Sequence, residues 1–329
     1  MNWNPRKWAP LLASAVLAIV LVVLWDRIRS IEFEDIVAQI RSLPPAAVLG
    51  ALACSAAAYL LVGLYEGIAL ERVSGQRRRW YALRTTLIAN TIGRAVGVAL
   101  VSGGALRYRL YAAIGLSARQ VGALIVLMAM PYLLGVGWLI DLSLLFHTEQ
   151  ASAALRLAPA TIVTLACIGL AKDVGWLAFA KWRTAPITIG QTQIRIPSLR
   201  HTCLQIVLGI AQILCNTGIL YLLMPAELGM SWPAFIAIYC IAFVAGQISN
   251  VPAGIGVLEA ALLLMLPHVP PAKLLGAVIV YRALFEVLPL FVGLTLWGTY
   301  ELGRLKGKAT GYGPRATARE ERDPSGRRL

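Results

Sequence analysis

Charge is what this sequence lacks. Only 14% of its 329 residues are Asp, Glu, Lys or Arg, against about a quarter in an ordinary soluble domain. So few polar groups cannot coat a soluble globule of this size, and an ordinary soluble enzyme is excluded. Acidic residues are the scarcer sign: 16 Asp and Glu stand against 30 Lys and Arg, a formal net charge of +14. Histidine is nearly missing, and His147, His201 and His268 are scattered, with no carboxylate at metal-ligand spacing. The five cysteines (Cys54, Cys167, Cys203, Cys215 and Cys240) lie in or beside apolar runs without a C-x-x-C pair. That argues against a zinc site or a disulfide framework. There is also no Walker A loop, no H-E-x-x-H helix and no G-x-S-x-G elbow. No cofactor, no metal site, no catalytic residue and no enzymatic activity are expected.

What the chain has instead is apolar surface, 58% of all residues. Residues 8–25 follow Arg6 and Lys7 without interruption, and no small-residue cleavage site comes after them. This reads as an uncleaved anchor helix of about 18 residues, enough to span a bilayer core. Residues 29–42 mix Ile31, Ile36, Val37 and Ile40 with charges, the pattern of a short amphipathic helix at the interface. Further apolar segments lie at 45–70, 82–103, 118–146, 157–180, 203–224, 232–250, 252–266 and 272–299. The longest interior loop, 181–202, opens on Pro186-Ile-Thr-Ile-Gly190, which suits a small hairpin. From about 301 the chain is Gly-rich and basic, and it is expected to be a disordered cytoplasmic tail, 301–329.

A pI near 10 raises nucleic acid as a partner, but the positions of the charges point elsewhere. If every apolar segment spanned, the basic loop 181–202 would be external, against the positive-inside rule. The conflict disappears if 82–116 is a re-entrant hairpin that enters and leaves on the cytoplasmic side. Most of the 30 Lys and Arg then fall on cytoplasmic stretches, with both termini inside, and no nucleic acid is expected. A repeat supports the same hairpin. Ala118–Val126 aligns without gaps to Ala272–Val280, with five of nine positions identical. Upstream of each copy stands a glycine-containing break, Ser102-Gly103-Gly104 in one and Pro252-Ala253-Gly254-Ile255-Gly256 in the other. In the charge-based topology the two copies run in opposite directions, the plan of an inverted repeat.

Ionisable groups within apolar segments are expensive and face an interior or a cavity. Arg282 and Glu286, four apart, share one helix face. They are either a self-neutralising pair that keeps the helix insertable, or a headgroup site in which Glu286 orients Arg282. Lys172 and Asp173 lie deep in 157–180. Adjacent helix residues do not face each other, so each needs a partner from elsewhere or a position near the interface. Asn90, Arg94, Arg107, Tyr108 and Arg109 belong to the first hairpin, where guanidinium groups suit phosphate; for Arg107 and Arg109 the alternative is an ordinary positive-inside loop. Asn250, Pro252, Gly254, Gly256 and Glu259 belong to the second break, where freed N–H groups at a half-helix start attract an anion. Glu66 and Asp141 stand a few residues from segment ends and are expected to reach the interface.

Three motifs carry a family resemblance: Ser102-Gly-Gly-Ala-Leu-Arg-Tyr-Arg-Leu-Tyr111 with Gly115-Leu-Ser117, Asn250-Val-Pro-Ala-Gly-Ile-Gly-Val-Leu-Glu259, and Val280-Tyr-Arg-Ala-Leu-Phe-Glu-Val-Leu-Pro289. Together they resemble the hydrophobic region of lysylphosphatidylglycerol synthases, the multiple peptide resistance factor family, over about residues 10–300. Ala253 departs from the family's usual Pro-Gly-Gly start. The resemblance implies a lipid flippase domain that moves aminoacylated phosphatidylglycerol between leaflets. It singles out Arg107, Arg109, Pro252, Gly254, Gly256, Glu259 and Arg282. The family's soluble aminoacyl transferase is not found in this sequence, so lysyl transfer is not carried over. The chain looks like the single-domain relatives, some of them associated with hopanoid synthesis.

The expectation is therefore an all-α polytopic integral membrane protein of the bacterial inner membrane. It would have about six to eight transmembrane helices and two re-entrant or broken helical hairpins in an inverted repeat. Residues 1–300 form the flippase-like domain, with repeats at about 45–150 and 203–300. Arg107, Arg109 and Arg282 bind a phosphate headgroup, while Asp173, Glu259 and Glu286 balance charge or bind a cationic one. The partners are membrane phospholipids, anionic or aminoacylated; a second copy of the chain and lipid-biosynthesis enzymes stay open. The alternative function is a non-transporting scaffold of a lipid or hopanoid biosynthesis complex. A lipid-modifying enzyme would need a cluster of carboxylate, His or Lys at one interface, and the sequence offers none.

Overall fold

Proline and small polar residues set where the helices begin. The computed structural model describes residues 33–96, 99–182, 187–189, 192–194, 199–249, 251 and 254–309. Helix α1 (Phe33–Ser42) is followed by α2 (Pro45–Ser74), which starts on a proline. Proline at the first helical position costs no hydrogen bond, because that N–H has no intrahelical partner. Next come α3 (Arg79–Val96) and α4 (Ala99–Ala112). Ser117 caps α5 (Ala118–Phe146): its hydroxyl accepts from the Gln120 N–H while the Gln120 side chain accepts from the Ser117 N–H. Helices α6 (Thr148–Leu155) and α7 (Pro159–Trp182) complete the first half.

Strands β1 (Ile187–Ile189) and β2 (Thr192–Ile194) pair antiparallel, with Ile187 opposite Ile194. This is the small hairpin expected in the 181–202 loop. The second half contains α8 (Leu199–Leu223), a 3-10 turn (Ala226–Leu228), α9 (Trp232–Ile248), α10 (Val257–Met265) and α11 (Pro271–Arg282). A π-helical turn (Ala283–Val287) then runs into α12 (Leu288–Ala309). The tail, expected to be disordered from 301, is helical as far as Ala309. Tyr300, Glu301 and Arg304 make ring and ion-pair contacts, and a helix already nucleated propagates at little cost.

The protein is an all-α polytopic membrane protein. Among the described residues five helices are long and apolar enough to cross a bilayer: Pro45–Ser74, Ala118–Phe146, Pro159–Trp182, Leu199–Leu223 and the continuous Pro271–Leu305. Even α7, at 24 residues, is about 36 Å long, against about 30 Å of hydrocarbon. The expected anchor at 8–25 lies outside the described residues, as does 310–329.

The segments 82–103 and 232–266 fold back on themselves. At the mouth of the α3–α4 hairpin, Tyr81 OH donates to the Leu110 carbonyl (2.6 Å). Near its tip, Ser102 Oγ donates to the Gly93 carbonyl (2.9 Å). At the mouth of the α9–α10 hairpin, His268 Nε2 meets the Leu228 carbonyl at 3.0 Å, and Lys273 pairs with Glu227. The hydrogen bond from Lys273 holds the exposed Glu227 carboxyl below its usual range. The two hairpins open toward opposite ends of the bundle, because α2 and α8 run antiparallel: Gly50 faces Leu222, while Tyr65 OH donates to Gln212 Oε1 (2.9 Å). Each half thus has the order long helix, hairpin, long helix. The aligned nine-residue stretches begin α5 and the α11–α12 helix, the elements that follow each hairpin.

The main core lies around the second hairpin, where Phe235, Tyr239, Leu262, Tyr281 and Phe285 interlock. A second cluster of Tyr65, Leu70, Ala82, Tyr111 and Leu124 holds α2, α3, α4 and α5 together. Helix α5 and helix α8 cross with backbones almost in contact: a Cβ on Gly209 would collide with the Pro131 carbonyl, and one on Gly135 with the Gly209 backbone. The amphipathic α1 packs on α11, where Gly276 leaves space for Gln39.

Candidate functional site

The tips of the two hairpins meet. Arg94 stands in the last turn of α3, and its guanidinium lies over the Phe285 ring (4.8 Å) and the Phe243 ring of α9 (5.4 Å). Arg94, Ala95, Thr91 and Tyr59 share a cavity of about 200 Å³ with Ile255 of the second tip and Glu286 of the π turn. Arg94 Nη2 is 3.9 Å from Glu286 Oε1, too long for a hydrogen bond.

Arg282 closes the other side. Its Nε is 2.5 Å from Glu259 Oε1, its Nη2 3.0 Å from Glu259 Oε2, and its Nη1 donates to Glu286 Oε2 at 2.9 Å. Nη2 also reaches the Gly254 carbonyl at 3.3 Å. Glu259 turns back to accept from the Gly256 N–H (2.9 Å), which caps α10. Gly254 and Gly256 have φ of +63° and +83°, a conformation that glycine adopts without strain. The π turn aims Glu286. The Leu288 N–H donates to Ala283 O and Pro289 has no N–H, so the Leu284 and Phe285 carbonyls leave the helical ladder, and α2 satisfies them: Ser55 Oγ donates to Leu284 O (2.9 Å) and Tyr59 OH to Phe285 O (3.0 Å). Two guanidiniums and two carboxylates thus balance at the meeting of the tips.

A second polar cluster lies inside the first hairpin. Glu66 is fully buried. Arg107 grips it at 3.0 and 3.1 Å, Tyr111 OH donates at 2.9 Å and Thr86 Oγ1 at 2.5 Å. Asn90 Oδ1 accepts from Arg107 Nη2 at 2.8 Å. Glu66 was expected to reach the interface; instead α2 continues four residues past 70 to Ser74, which sets Glu66 deeper. Asp141, also expected near an interface, is 7% exposed and faces Lys172 and Asp173. Lys172 and Asp173 were expected to need separate partners, yet Lys172 Nζ curls onto its neighbour's Oδ1 at 2.8 Å. The flexible four-carbon stem allows what the helix geometry alone disfavours.

The site residues read from the sequence therefore divide. Arg94, Gly254, Gly256, Glu259, Arg282 and Glu286 come together at the tips. Asn90 and Arg107 form the buried Glu66 cluster, while Lys172 and Asp173 belong to a third cluster. Tyr108 is exposed. Arg109 sits outside, paired with Glu301 (2.6 Å) and stacked over Trp297. Asn250 and Pro252 lie outside the described residues. Of the three arginines expected to hold phosphate, Arg107 and Arg282 have carboxylates against their guanidinium groups, and Arg109 is remote from the cavity. Arg94 lines the cavity and is the cation held there without a short ion pair.

The model of the lysylphosphatidylglycerol synthase transmembrane region matches residues 11–293. The chain belongs to this family. Within the lysylphosphatidylglycerol synthase transmembrane family it is similar to an uncharacterized protein of Synechocystis, 28% identical over 90% of this chain and 93% of that protein. It is also similar to the inner membrane protein YbhN of Escherichia coli, 26% identical over 85% of this chain and 87% of YbhN. Phosphatidylglycerol lysyltransferase of Staphylococcus aureus is 22% identical over 88% of this chain, which spans 34% of that enzyme. The likeness to the enzyme is confined to the membrane region.

Proposed function

We propose that this protein moves a polar or aminoacylated phospholipid between the leaflets of a bacterial inner membrane, without an enzymatic reaction of its own. One observation carries the reading. The polar cavity at the hairpin tips adjoins a predominantly apolar groove of about 290 Å³, and both are lined by Tyr59. The groove runs between α2, α3 and α12, with Leu60, Leu83, Leu87, Leu284 and Val292 in its walls. A charged pocket joined to an apolar groove fits an amphiphile: headgroup beside Arg94 and Glu286, acyl chain along the leucines. Arg94 suits a phosphate and Glu286 an amine, so an anionic phospholipid and its aminoacylated product both match. The name of the staphylococcal lysyltransferase supports the same class of lipid, and YbhN supports an inner-membrane location.

In this reading the two hairpins are re-entrant, entering from opposite faces with both termini cytoplasmic. Opposed half-helices meeting near the midplane are a common plan of transporters. The test is a scrambling assay with fluorescent phosphatidylglycerol, and with its lysyl form, in proteoliposomes. The full-length protein should accelerate lipid exchange, Arg94→Gln should slow it at least tenfold, and Ala56→Trp, which fills the groove, should slow it similarly. A rate equal to empty vesicles for both lipids overturns the reading.

A further inference from the structure

A third cluster lies away from the tips, where α5 crosses α7. Asp141 and Asp173 are 7% and 3% exposed. Lys172 Nζ is 2.8 Å from Asp173 Oδ1 and 3.9 Å from Asp141 Oδ2. Two glycines make the room: a Cβ on Gly169 would overlap the Asp141 carboxyl, and one on Gly137 would press on Lys172 and the Asp173 carboxyl. One oxygen of each acid, Asp141 Oδ2 and Asp173 Oδ2, is buried with no hydrogen-bond partner. Among the described residues, Lys172 and Asp173, both on α7, present charge to Asp141. Helices α2, α4, α6, α8 and α9 also pack on α5, and among the described residues no charge on them, Glu149 of α6 included, acts on Asp141.

The charge count does not close. Two carboxylates and one ammonium leave one negative charge in membrane-spanning helices, where an unpaired ion is far costlier than a missing hydrogen bond. One proton closes it and supplies the donor that the orphaned oxygens lack, as when two nearby carboxylates cannot both ionise. We propose that Asp141 and Asp173 hold one exchangeable proton between them, with the half-exposed Lys172 as the counter-charge, and that loading and releasing it couples lipid movement to a proton gradient. The proton comes from water on one side of the membrane and returns to water on the other; only O–H bonds form and break. The coupling rests on the transport reading above, whereas the proton site does not.

Two measurements separate these claims. The first is infrared difference spectroscopy of the full-length protein in lipid nanodiscs after a pH jump. At neutral pH the wild type should show a carboxylic-acid C=O band that titrates, and Asp141→Asn and Asp173→Asn should each abolish it. Lys172→Gln should roughly double the band, since both acids then need a proton; a purely structural cluster would not do this. Each variant is checked for a monodisperse, cooperatively melting sample. A wild type without the band, a band that survives in both Asn variants, or a band removed by added sodium overturns the proton site.

The second measurement is lipid exchange in proteoliposomes under an imposed pH gradient. The wild-type rate should follow the gradient, while Asp141→Asn should move lipid at the gradient-free rate. A gradient-insensitive wild type overturns the coupling. A wild type that moves no lipid overturns the transport reading, and the infrared band then decides the proton site alone.

Discussion

Glu66 and Arg107 show what a single buried charge requires. Glu66 accepts from Arg107, Tyr111 and Thr86, so almost every lone pair is used. Removing one partner leaves the other charge buried and uncompensated, which typically costs about 3–5 kcal/mol. Glu66→Gln and Arg107→Gln should each lower the melting temperature of the detergent-solubilised protein substantially. The double variant should be less destabilised than the sum of the two, as expected for residues in one network. Arg94→Gln should slow lipid exchange and lower the melting temperature less than Glu66→Gln or Arg107→Gln does, because Arg94 is held by two aromatic rings and has no short ion pair. The types of these residues were legible as rare charges within apolar runs. Their pairings were not, because Glu66 and Arg107 are 41 residues apart and meet only when α4 folds back along α3.

At the scale of elements, the π turn and the glycine crossings decide geometry. Ser55 and Tyr59 satisfy the carbonyls that the π turn frees, and that turn points Glu286 at the cavity. Ser55→Ala combined with Tyr59→Phe should raise backbone hydrogen exchange across 284–288 and slow lipid exchange, with the rest of the exchange map unchanged. Where α5 and α8 touch backbone to backbone, Gly209→Val should prevent the helices from closing, and the protein should elute as aggregate in size-exclusion chromatography. The long helices and the second break could be read from apolar runs and glycine positions; Ser102-Gly103-Gly104, read as the first break, is instead helical within α4, because glycines inside a packed helix need not break it. The π turn had one local signal, Pro289, which has no N–H to offer the Phe285 carbonyl; that hydroxyls of α2 would take up the freed carbonyls was not legible, because they come from another helix.

At the scale of the whole molecule, two hairpins open to opposite ends and their tips meet. In a background without the five native cysteines, Gln76→Cys at one mouth and Glu227→Cys at the other should label from opposite sides of the membrane with an impermeant maleimide; labelling from one side refutes the opposed arrangement. The sequence by itself determined that the chain lives in a bilayer, that its apolar runs are helices, and that two of them break, since composition and local backbone preference act over a few residues. Only the tertiary structure decided which arginine faces a cavity, which are held by carboxylates, and that Asp141 joins Lys172 and Asp173. Those outcomes depend on distances between helices far apart in the chain. In a low-dielectric interior a charge's role is set by its nearest partner, and no local pattern encodes that partner.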